Sequence, residues 1–328
     1  MSRGDVLKYL VILALLIVVP PVLPKEYFRY LIFLSCVFAI LALSADIIIS
    51  GAGLLTFGHQ AFFGIGAYTS GALNFYQGVE PLVGFLAAFV VSGVSGILFG
   101  YICLRRLRAV YLAIATFGLG AVVFLIARNW YQFTGGLTGL RGLDYPSLFG
   151  FEINSELRFC YLGLALLLLT SYFIYRLWHS RLGRAIIALR ENEELARSKG
   201  VSPIFYYTVA FSIACAFAGL SGALYVHEMA VVNPMLFQFN YMIIIFIAVL
   251  VGGKGRLPGP IIGATIYVCL TEFLRFAENL RYALMGVILL IVVTFMPSGV
   301  YPFLLSQAHS FTNFIKQWLR RKGYGTNP

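Results

Sequence analysis

The stretch GAGLLTFGHQAFFGIGA, residues Gly51–Ala67, is apolar yet crowded with glycine. Each glycine weakens a helix by roughly 1 kcal/mol relative to alanine, and irregular backbone at membrane depth survives only where protein or a water-filled cavity covers it. His59 and Gln60 in its middle therefore favour a broken or re-entrant helix that lines a pathway. Close helix packing through small residues such as Gly64 and Gly71 is an equal alternative, and the two interpretations are compatible.

Long apolar runs continue on both sides of this stretch. Hydrophobic residues make up 60% of the chain and charged residues 11%, against roughly 45–50% and about 25% in a soluble domain. This composition excludes a soluble enzyme, a nucleic-acid-binding protein and a disordered chain, because too few polar residues remain to cover a soluble surface. We expect an all-α polytopic integral membrane protein, with residues 1–328 forming one transmembrane domain of about ten helices, within a range of about eight to eleven. The apolar runs are Val6–Leu23, Tyr30–Ile49, Ala61–Phe75, Pro81–Leu104, Ala109–Ala127, Phe159–Leu177, Ile204–Met229, Tyr241–Val251, Pro260–Leu274 and Leu280–Met296.

The basic residues predict the orientation of these runs. If the amino terminus is cytoplasmic and the runs alternate, 17 of the 24 Lys and Arg residues fall inside and seven fall outside. Because cytoplasmic loops of membrane proteins are enriched in Lys and Arg, we expect both termini in the cytoplasm. Residues 180–200 then form a cytoplasmic loop, and residues 129–158 form an external one. The first run lacks a small-residue cleavage site near Val18, so a retained helix is favoured over a signal peptide.

The cytoplasmic loop Ser180–Gly200 has the pattern of an amphipathic helix. Ser180 is suited to cap its start and Gly200 to end it. Arg190 with Glu194, and Glu193 with Arg197, stand four residues apart as possible ion pairs. A purely basic face would indicate binding to a membrane surface, whereas both signs of charge favour a protein partner. A merely solvated loop helix is the alternative.

A second glycine-rich break lies in the other half of the chain, at Gly252–Pro260. One glycine-interrupted segment in each half resembles the paired broken helices of transporters with internal repeats, although the two segments share too little sequence to define a repeat. Lys254 is not part of a phosphate-binding loop, because no glycine-rich run ends in Gly-Lys followed by Ser or Thr. We therefore expect no ATP site in this chain.

The remaining reactive residue types have packing explanations. Gly219-Leu-Ser-Gly222 has the form used by intramembrane serine proteases, but Ser221 needs a histidine from another helix. His227 lies in the same run and turns away, so small-residue packing is favoured. The five cysteines fall in apolar runs without metal-ligand spacing and are interpreted as packing residues. The isolated ionisable residues are expected to snorkel from span ends to the interface; they are Asp46, Arg128, Glu228 and Glu272.

Five segments, taken together and in their order along the chain, resemble those of the permease subunits of ATP-driven importers for branched-chain and other hydrophobic amino acids. The likeness runs from about Asp46 to Arg275, and each segment alone is weak. The long Gly-Arg to Glu-rich loop is similar to that of one of the two permease types in such importers. The segments are Gly53–Tyr68, Thr134–Leu140, Gly183-Arg184 with Arg190–Glu193, Ala218–Tyr225, and Gly252–Gly255 with Gly259-Pro260.

The resemblance implies roles for three groups of residues. The cytoplasmic loop would be a coupling helix seated in a groove of a separate ATPase, and the glycine-broken segments would line the translocation path. The coupling residues would be Gly183, Arg184, Arg190, Glu191, Glu193, Glu194 and Gly200. The path residues would be Gly53, Thr56, Gly58, His59, Gln60, Gly64, Gly252 and Gly253. The external-loop residues would be Thr134, Gly135, Gly136 and Gly139.

The resemblance also implies the assembly around this chain. A second homologous permease, two ATP-binding subunits and an external substrate-binding protein would complete an importer in the bacterial cytoplasmic (inner) membrane. ATP and magnesium would be bound by the ATPase subunits, and this chain would be non-catalytic, with no cofactor, metal or nucleic acid of its own. The sequence leaves the solute open, because related permeases carry urea and short-chain amides. A secondary transporter driven by an ion gradient is the rival class, and it would usually carry an ionisable residue deep inside a span.

Overall fold

The computed structural model describes residues 20–21, 25–107, 109–148, 151–275, 280–296 and 299–302. The predicted run Val6–Leu23 lies almost entirely outside these residues, as do the basic residues next to the two termini.

The described residues form helices joined by short turns, which we label α1–α12. They are α1 Glu26–Asp46, α2 His59–Gln77, α3 Pro81–Leu104, α4 Ala109–Asn129, α5 Tyr131–Thr134, α6 Glu156–His179, α7 Arg181–Glu191, α8 Glu193–Ser198, α9 Pro203–Met229, α10 Phe239–Gly252, α11 Pro258–Phe273 and α12 Arg281–Phe295. A π-helical turn, Ile47–Ala52, continues α1, and 3₁₀ turns cover Gly136–Thr138 and Pro234–Phe237. Two antiparallel pairs of very short strands complete the described chain: β1 Leu140–Arg141 with β4 Val231–Val232, and β2 Ser147–Leu148 with β3 Phe151–Glu152.

Within the described residues, five helical segments are long and apolar enough to cross a membrane. They are Glu26–Ala52, Pro81–Leu104, Val110–Asn129, Glu156–His179 and Pro203–Met229. The all-α polytopic class predicted from composition is therefore confirmed. Helices α10, α11 and α12 have 14, 16 and 15 residues, which is about 21–24 Å at 1.5 Å per residue, less than the roughly 30 Å of a hydrocarbon core. The total of about ten spans stays a prediction.

Helices α1 and α9 form the centre of the bundle, and 78% of the apolar window of each is buried within the chain. Helix α9 packs against α1, α2 and α3, while α1 also contacts α6 and α11. Lipid supplies no hydrophobic force between helices, so small residues that allow close approach hold them together. Gly222 shows this, because a Cβ there would overlap the carbonyl of Phe63 on α2. Helix α4 is peripheral, with 28% of its window buried.

Contacts between helix ends separate the loops into two groups. At one end of α1, the Tyr30 hydroxyl lies 3.8 Å from the Met229 sulfur at the end of α9. At the other end, the backbone N–H of Gly255 in the α10–α11 turn donates to Asp46 over 3.3 Å. The described part of the loop 129–158 lies with the first group, since Leu140 pairs with Val232 just after α9. The loop 180–200 lies with the second, since Arg190 donates to the Ser50 carbonyl just after α1.

Candidate functional site

The predicted coupling loop is a pair of helices rather than one. The Ser180 side chain caps α7 by accepting from the Gly183 N–H at 3.2 Å. Helix α7 then stops at Asn192, whose backbone is extended (φ −156°, ψ 102°) and whose side chain caps α8 by accepting from Leu195 N–H at 2.9 Å. Gly200 ends the loop in the left-handed region at φ 83°, where glycine carries no steric penalty. The break arises because asparagine is a strong helix N-cap.

One of the two predicted ion pairs forms. Arg197 and Glu193 are joined at 3.3 Å within α8. Arg190 and Glu194 lie on different helices, and the Arg190 guanidinium instead donates to the backbone carbonyl of Ser50. The expected Arg190–Glu194 pair is therefore wrong, because the break at Asn192 removes the helical spacing that the pair requires.

The helix pair has a buried face and a charged outer face. Gly183, Ile186 and Leu189 are buried, and Gly183 is a packing residue, since a Cβ there would overlap the Leu177 carbonyl. Exposed residues of the pair include Arg184, Glu191, Glu194 and Leu195, and Glu193 is half-buried. Leu195 is not among the coupling residues predicted from the sequence. It is 59% exposed, and an apolar residue surrounded by charge on one face is the signal that identifies it.

The first glycine-rich stretch is irregular, as its composition predicts. The π-helical turn of α1 ends at Gly53, which is left-handed at φ 69°, and the backbone then runs without regular structure to α2. The Phe57 N–H donates to the Thr116 side chain of α4 at 2.9 Å. A Cβ on Gly58 would overlap the Thr116 carbonyl, so glycine is required where this segment crosses α4.

Three polar residues cluster where the irregular segment becomes α2. Thr56, His59 and Gln60 are each no more than 2% exposed. His59 Nε2 lies 3.1 Å from the Ser44 hydroxyl, and Gln60 donates to the Phe57 carbonyl at 3.1 Å. Thr56 Oγ1 and Gln60 Oε1 are buried without a hydrogen-bond partner among the described residues. Such groups are costly to bury without a hydrogen-bond partner.

The second glycine-rich break is a turn between helices rather than a break within one. Helix α10 ends at Gly252, and α11 begins at Pro258. A Cβ on Gly252 would overlap the Gly259 carbonyl, so glycine lets the two short helices meet closely. Each half thus contains a glycine-rich interruption between helices, the first an irregular segment and the second a tight turn. Helix α10 contacts the first segment through Phe246, whose ring centre lies 5.2 Å from that of Phe57.

The predicted external-loop residues form a tight turn against the end of α4. The Thr134 hydroxyl lies 2.5 Å from the Ala127 carbonyl and 2.7 Å from that of Trp130, and it accepts from Gly136 N–H at 3.2 Å. Gly135, Gly136 and Gly139 all have positive φ. The loop then pairs with the chain after α9, with Leu140 opposite Val232.

A cavity of about 680 Å³ lies between α2 and α4, on the side of the external loop. Tyr68 and Ala72 line it from α2, Val123 lines it from α4, and Trp130 and Phe237 lie at its edges. Its lining is mostly apolar, although the Tyr68 hydroxyl is buried without a partner among the described residues. The cavity begins along α2 just beyond the polar cluster.

Ser221 is not the nucleophile of a serine protease in this fold. Its hydroxyl donates to the Val37 carbonyl at 2.7 Å and is fully buried between α9 and α1. His227 pairs instead with Ser70 at 2.8 Å and lies 2.9 Å from the Asp144 carbonyl. The packing interpretation of Ser221 is therefore confirmed.

Asp46 differs from its expected role. Its predicted position near a span end suggested snorkelling, but α1 continues past it as the π-helical turn, and Asp46 is only 6% exposed. The Ser50 hydroxyl and the Gly255 N–H both donate to its carboxylate. A carboxylate and a hydroxyl four residues apart on one helix were the signal available in the sequence.

An apolar helical bundle with one glycine-broken, polar-lined segment and a charged helix pair at one end defines a polytopic membrane permease. The chain belongs to the family described as "Branched-chain amino acid transport system / permease component", whose model matches residues 27–293.

Named relatives agree with this family. The chain is 32% identical over 292 residues to the high-affinity branched-chain amino acid transport system permease protein LivM of Salmonella typhimurium, an alignment that covers 82% of this chain and 68% of the relative. It is 33% identical over 297 residues to LivM of Escherichia coli K12, with the same coverage. It is 26% identical to the permease protein LivH of Escherichia coli K12, over 81% of this chain and 92% of the relative.

Proposed function

We propose that this chain is the permease subunit of an ATP-driven importer that moves branched-chain and other hydrophobic amino acids across the bacterial cytoplasmic membrane. The observation that carries the proposal is the family match over residues 27–293, on a chain whose described residues form an apolar helical bundle. The names of the LivM relatives supply the substrate class.

The proposed assembly contains a second permease, two ATPase subunits and an external binding protein. Similarity to both LivM and LivH supports a pair of related permeases. ATP and magnesium belong to the ATPase subunits, and this chain contributes no cofactor. The proposed orientation has the α7–α8 pair and both termini in the cytoplasm and residues 129–158 outside, which is supported by the excess of Lys and Arg in the inside segments.

The proposed ATPase docking surface is the outer face of α7 and α8: Arg184, Glu191, Glu193, Glu194 and Leu195. Charges of both signs around one exposed leucine are typical of a protein interface rather than a lipid-facing surface. Glu193 already pairs with Arg197, whose side chain is 65% exposed, and such pairs contribute only about 0.2–0.5 kcal/mol to a helix. Charges that become paired and desolvated at an interface commonly cost about 2–5 kcal/mol to break.

That difference in magnitude gives the test of the docking surface. Combined reversal of Arg184, Glu191 and Glu193 (R184E, E191K, E193K) should leave membrane levels normal. It should release the ATPase subunits on copurification and abolish uptake. Arg141→Glu, an exposed reversal in the external loop, is the matched control and should change neither. Normal ATPase retention and normal uptake in the triple variant would leave α7–α8 as a solvated helix pair.

The proposed translocation path follows α2. It uses the polar cluster Thr56, His59 and Gln60 with the adjoining apolar cavity, and the irregular backbone Gly53–Gly58 forms its movable wall. The unpartnered buried oxygens of Thr56 and Gln60 support this proposal, as does the position of the cavity directly beyond them. Polar groups without partners suit transient contact with a passing zwitterion better than permanent tight binding.

The function as a whole is tested by reconstitution. The chain, its paired permease, both ATPase subunits and the binding protein are placed in liposomes, and uptake of leucine, isoleucine, valine, urea and acetamide is measured. We expect leucine, isoleucine and valine uptake that requires ATP. Uptake restricted to urea or acetamide would replace the substrate class, and accumulation by the chain alone under a sodium or proton gradient would favour a secondary transporter.

A further inference from the structure

The buried carboxylate of Asp46 joins two parts of the chain that are far apart in sequence. Asp46 is the last residue of α1, and the hydroxyl of Ser50, one turn later, donates to it. The backbone N–H of Gly255 donates to the same oxygen at 3.3 Å. Asp46 is 6% and Ser50 8% exposed. The end of α1 is thereby fixed to the turn between α10 and α11.

The helix pair α7–α8 is attached to the same place. The Arg190 guanidinium at the end of α7 donates to the Ser50 carbonyl. Gly51 and Gly53 follow Ser50 in the chain. A Cβ on Gly51 would overlap the Trp178 ring, and a Cβ on Gly53 would lie 2.7 Å from Arg190 Cγ. Both glycines are therefore needed for α6 and α7 to sit against this turn.

The backbone at this junction is unusual. Residues Ile47–Ala52 form a π-helical turn, a wide turn that is rare and occurs frequently at functional sites. It ends directly at the irregular segment that leads to Thr56 and His59. A change in the winding of this turn would shift the segment relative to α2, so the junction is placed to pass motion from α7 to the proposed path.

We propose that Asp46 is a positioning residue through which α7–α8 moves the irregular segment and the α10–α11 turn as one unit. This inference rests on the proposed function, since it assigns the mechanical link between the ATPase docking surface and the translocation path. A buried carboxylate that loses its donors carries a large penalty. The Ser50 and Gly255 donors must therefore move together with Asp46. The Ser50 carbonyl, which accepts from Arg190, moves with them.

The test separates linkage from folding by measuring substrate carried per ATP hydrolysed in the reconstituted full complex. Asp46→Leu and Ser50→Ala should keep membrane levels, retention of the ATPase subunits and the rate of ATP hydrolysis. Uptake per ATP should fall about tenfold or more for Asp46→Leu and by a smaller factor for Ser50→Ala, which loses one donor but keeps the carbonyl. Asp46→Asn, which keeps an acceptor oxygen, should recover most of the loss.

The matched control is Ser35→Ala, earlier in α1, whose hydroxyl bonds only locally to the Leu31 carbonyl at 2.8 Å; its uptake per ATP should be normal. The proposal is overturned if Asp46→Leu and Ser50→Ala both transport the normal amount per ATP. It is also overturned if every loss of uptake is matched by equal loss of assembled complex. Failure of the proposed function is distinguishable, because the wild-type complex would then show no ATP-dependent uptake of these amino acids.

Discussion

The pairing of Ser70 with His227 gives a quantitative test of how the bundle is held together. Ser70 Oγ and His227 Nε2 are 2.8 Å apart and both residues are 0% exposed, so α2 and α9 meet through this bond. His227 Nδ1 also lies 2.9 Å from the Asp144 carbonyl, so the same ring contacts the loop predicted to be external. Ser70→Ala leaves a buried ring nitrogen without this partner. The free energy of unfolding should fall by about 1–3 kcal/mol.

The partner variant completes a double-mutant cycle. His227→Phe keeps an aromatic ring but leaves both the Ser70 hydroxyl and the Asp144 carbonyl unmatched, so it should cost more than Ser70→Ala. Once either partner is absent, removing the other no longer breaks the Ser70–His227 bond, so the double variant should be more stable than the sum of the two single effects predicts. Hydrogen bonds between membrane helices couple by about 0.6 kcal/mol on average and at most about 1.7 kcal/mol. We expect a coupling energy within that range.

The measurement is reversible unfolding in bicelles with increasing sodium dodecyl sulfate, followed by circular dichroism. Ser95→Ala on α3 is the control, because its hydroxyl bonds locally to the Ser92 carbonyl at 2.9 Å, and its effect should stay below about 0.5 kcal/mol. Additive single-variant effects, within about 0.3 kcal/mol, would refute a direct Ser70–His227 bond.

Three further outcomes are expected. With the native cysteines removed, an impermeant thiol reagent on intact cells should label Asn154→Cys and not Asn192→Cys; the reverse would invert the proposed orientation. Thr56→Cys and Gln60→Cys in the assembled transporter should react faster with a small water-soluble thiol reagent during ATP hydrolysis than at rest, whereas Ala42→Cys, in the fully buried centre of α1, should not. The chain without partners should show no gradient-driven uptake in liposomes; accumulation there would support a secondary transporter.

The cytoplasmic loop shows how far sequence patterns reach. Ser180 and Gly200 were assigned correctly as the start and end of the helical region, because capping chemistry depends on local backbone geometry. One helix over Ser180–Gly200 would place Asn192 in its interior, whereas the short Asn192 side chain caps a new helix. The hydrogen bond of Arg190 was not predictable from the sequence, because its partner is a backbone carbonyl in the π-helical turn after α1, 140 residues away along the chain.

Asp46 shows what a hydrophobicity pattern does not predict. The apolar run was expected to end at Ile49, which placed Asp46 beside the interface, but the helical segment continues to Ala52. Hydrophobicity marks where lipid begins and ends, and it carries no information about a protein partner for a buried charge. The donor from Gly255 depends on how α10 and α11 turn, and that turn was predicted as a break in a helix. Tertiary contacts, and not the local sequence pattern, determine the surroundings of Asp46 and of Gly255.

The irregular segment Gly53–Gly58 connects the fold to the proposed mechanism through its hydrogen bonds. In a membrane, backbone groups outside a helix need partners from the protein or from water. Leu54 N–H reaches the Ile48 carbonyl at 3.1 Å, and Phe57 N–H depends on Thr116 of α4 at 2.9 Å. A displacement of the segment from α4 would break the second bond and leave a donor to be satisfied, at about 1–3 kcal/mol. Water entering beside Thr56 and Gln60 would meet that donor and their unpartnered oxygens together, so opening the segment and hydrating the proposed path are one event.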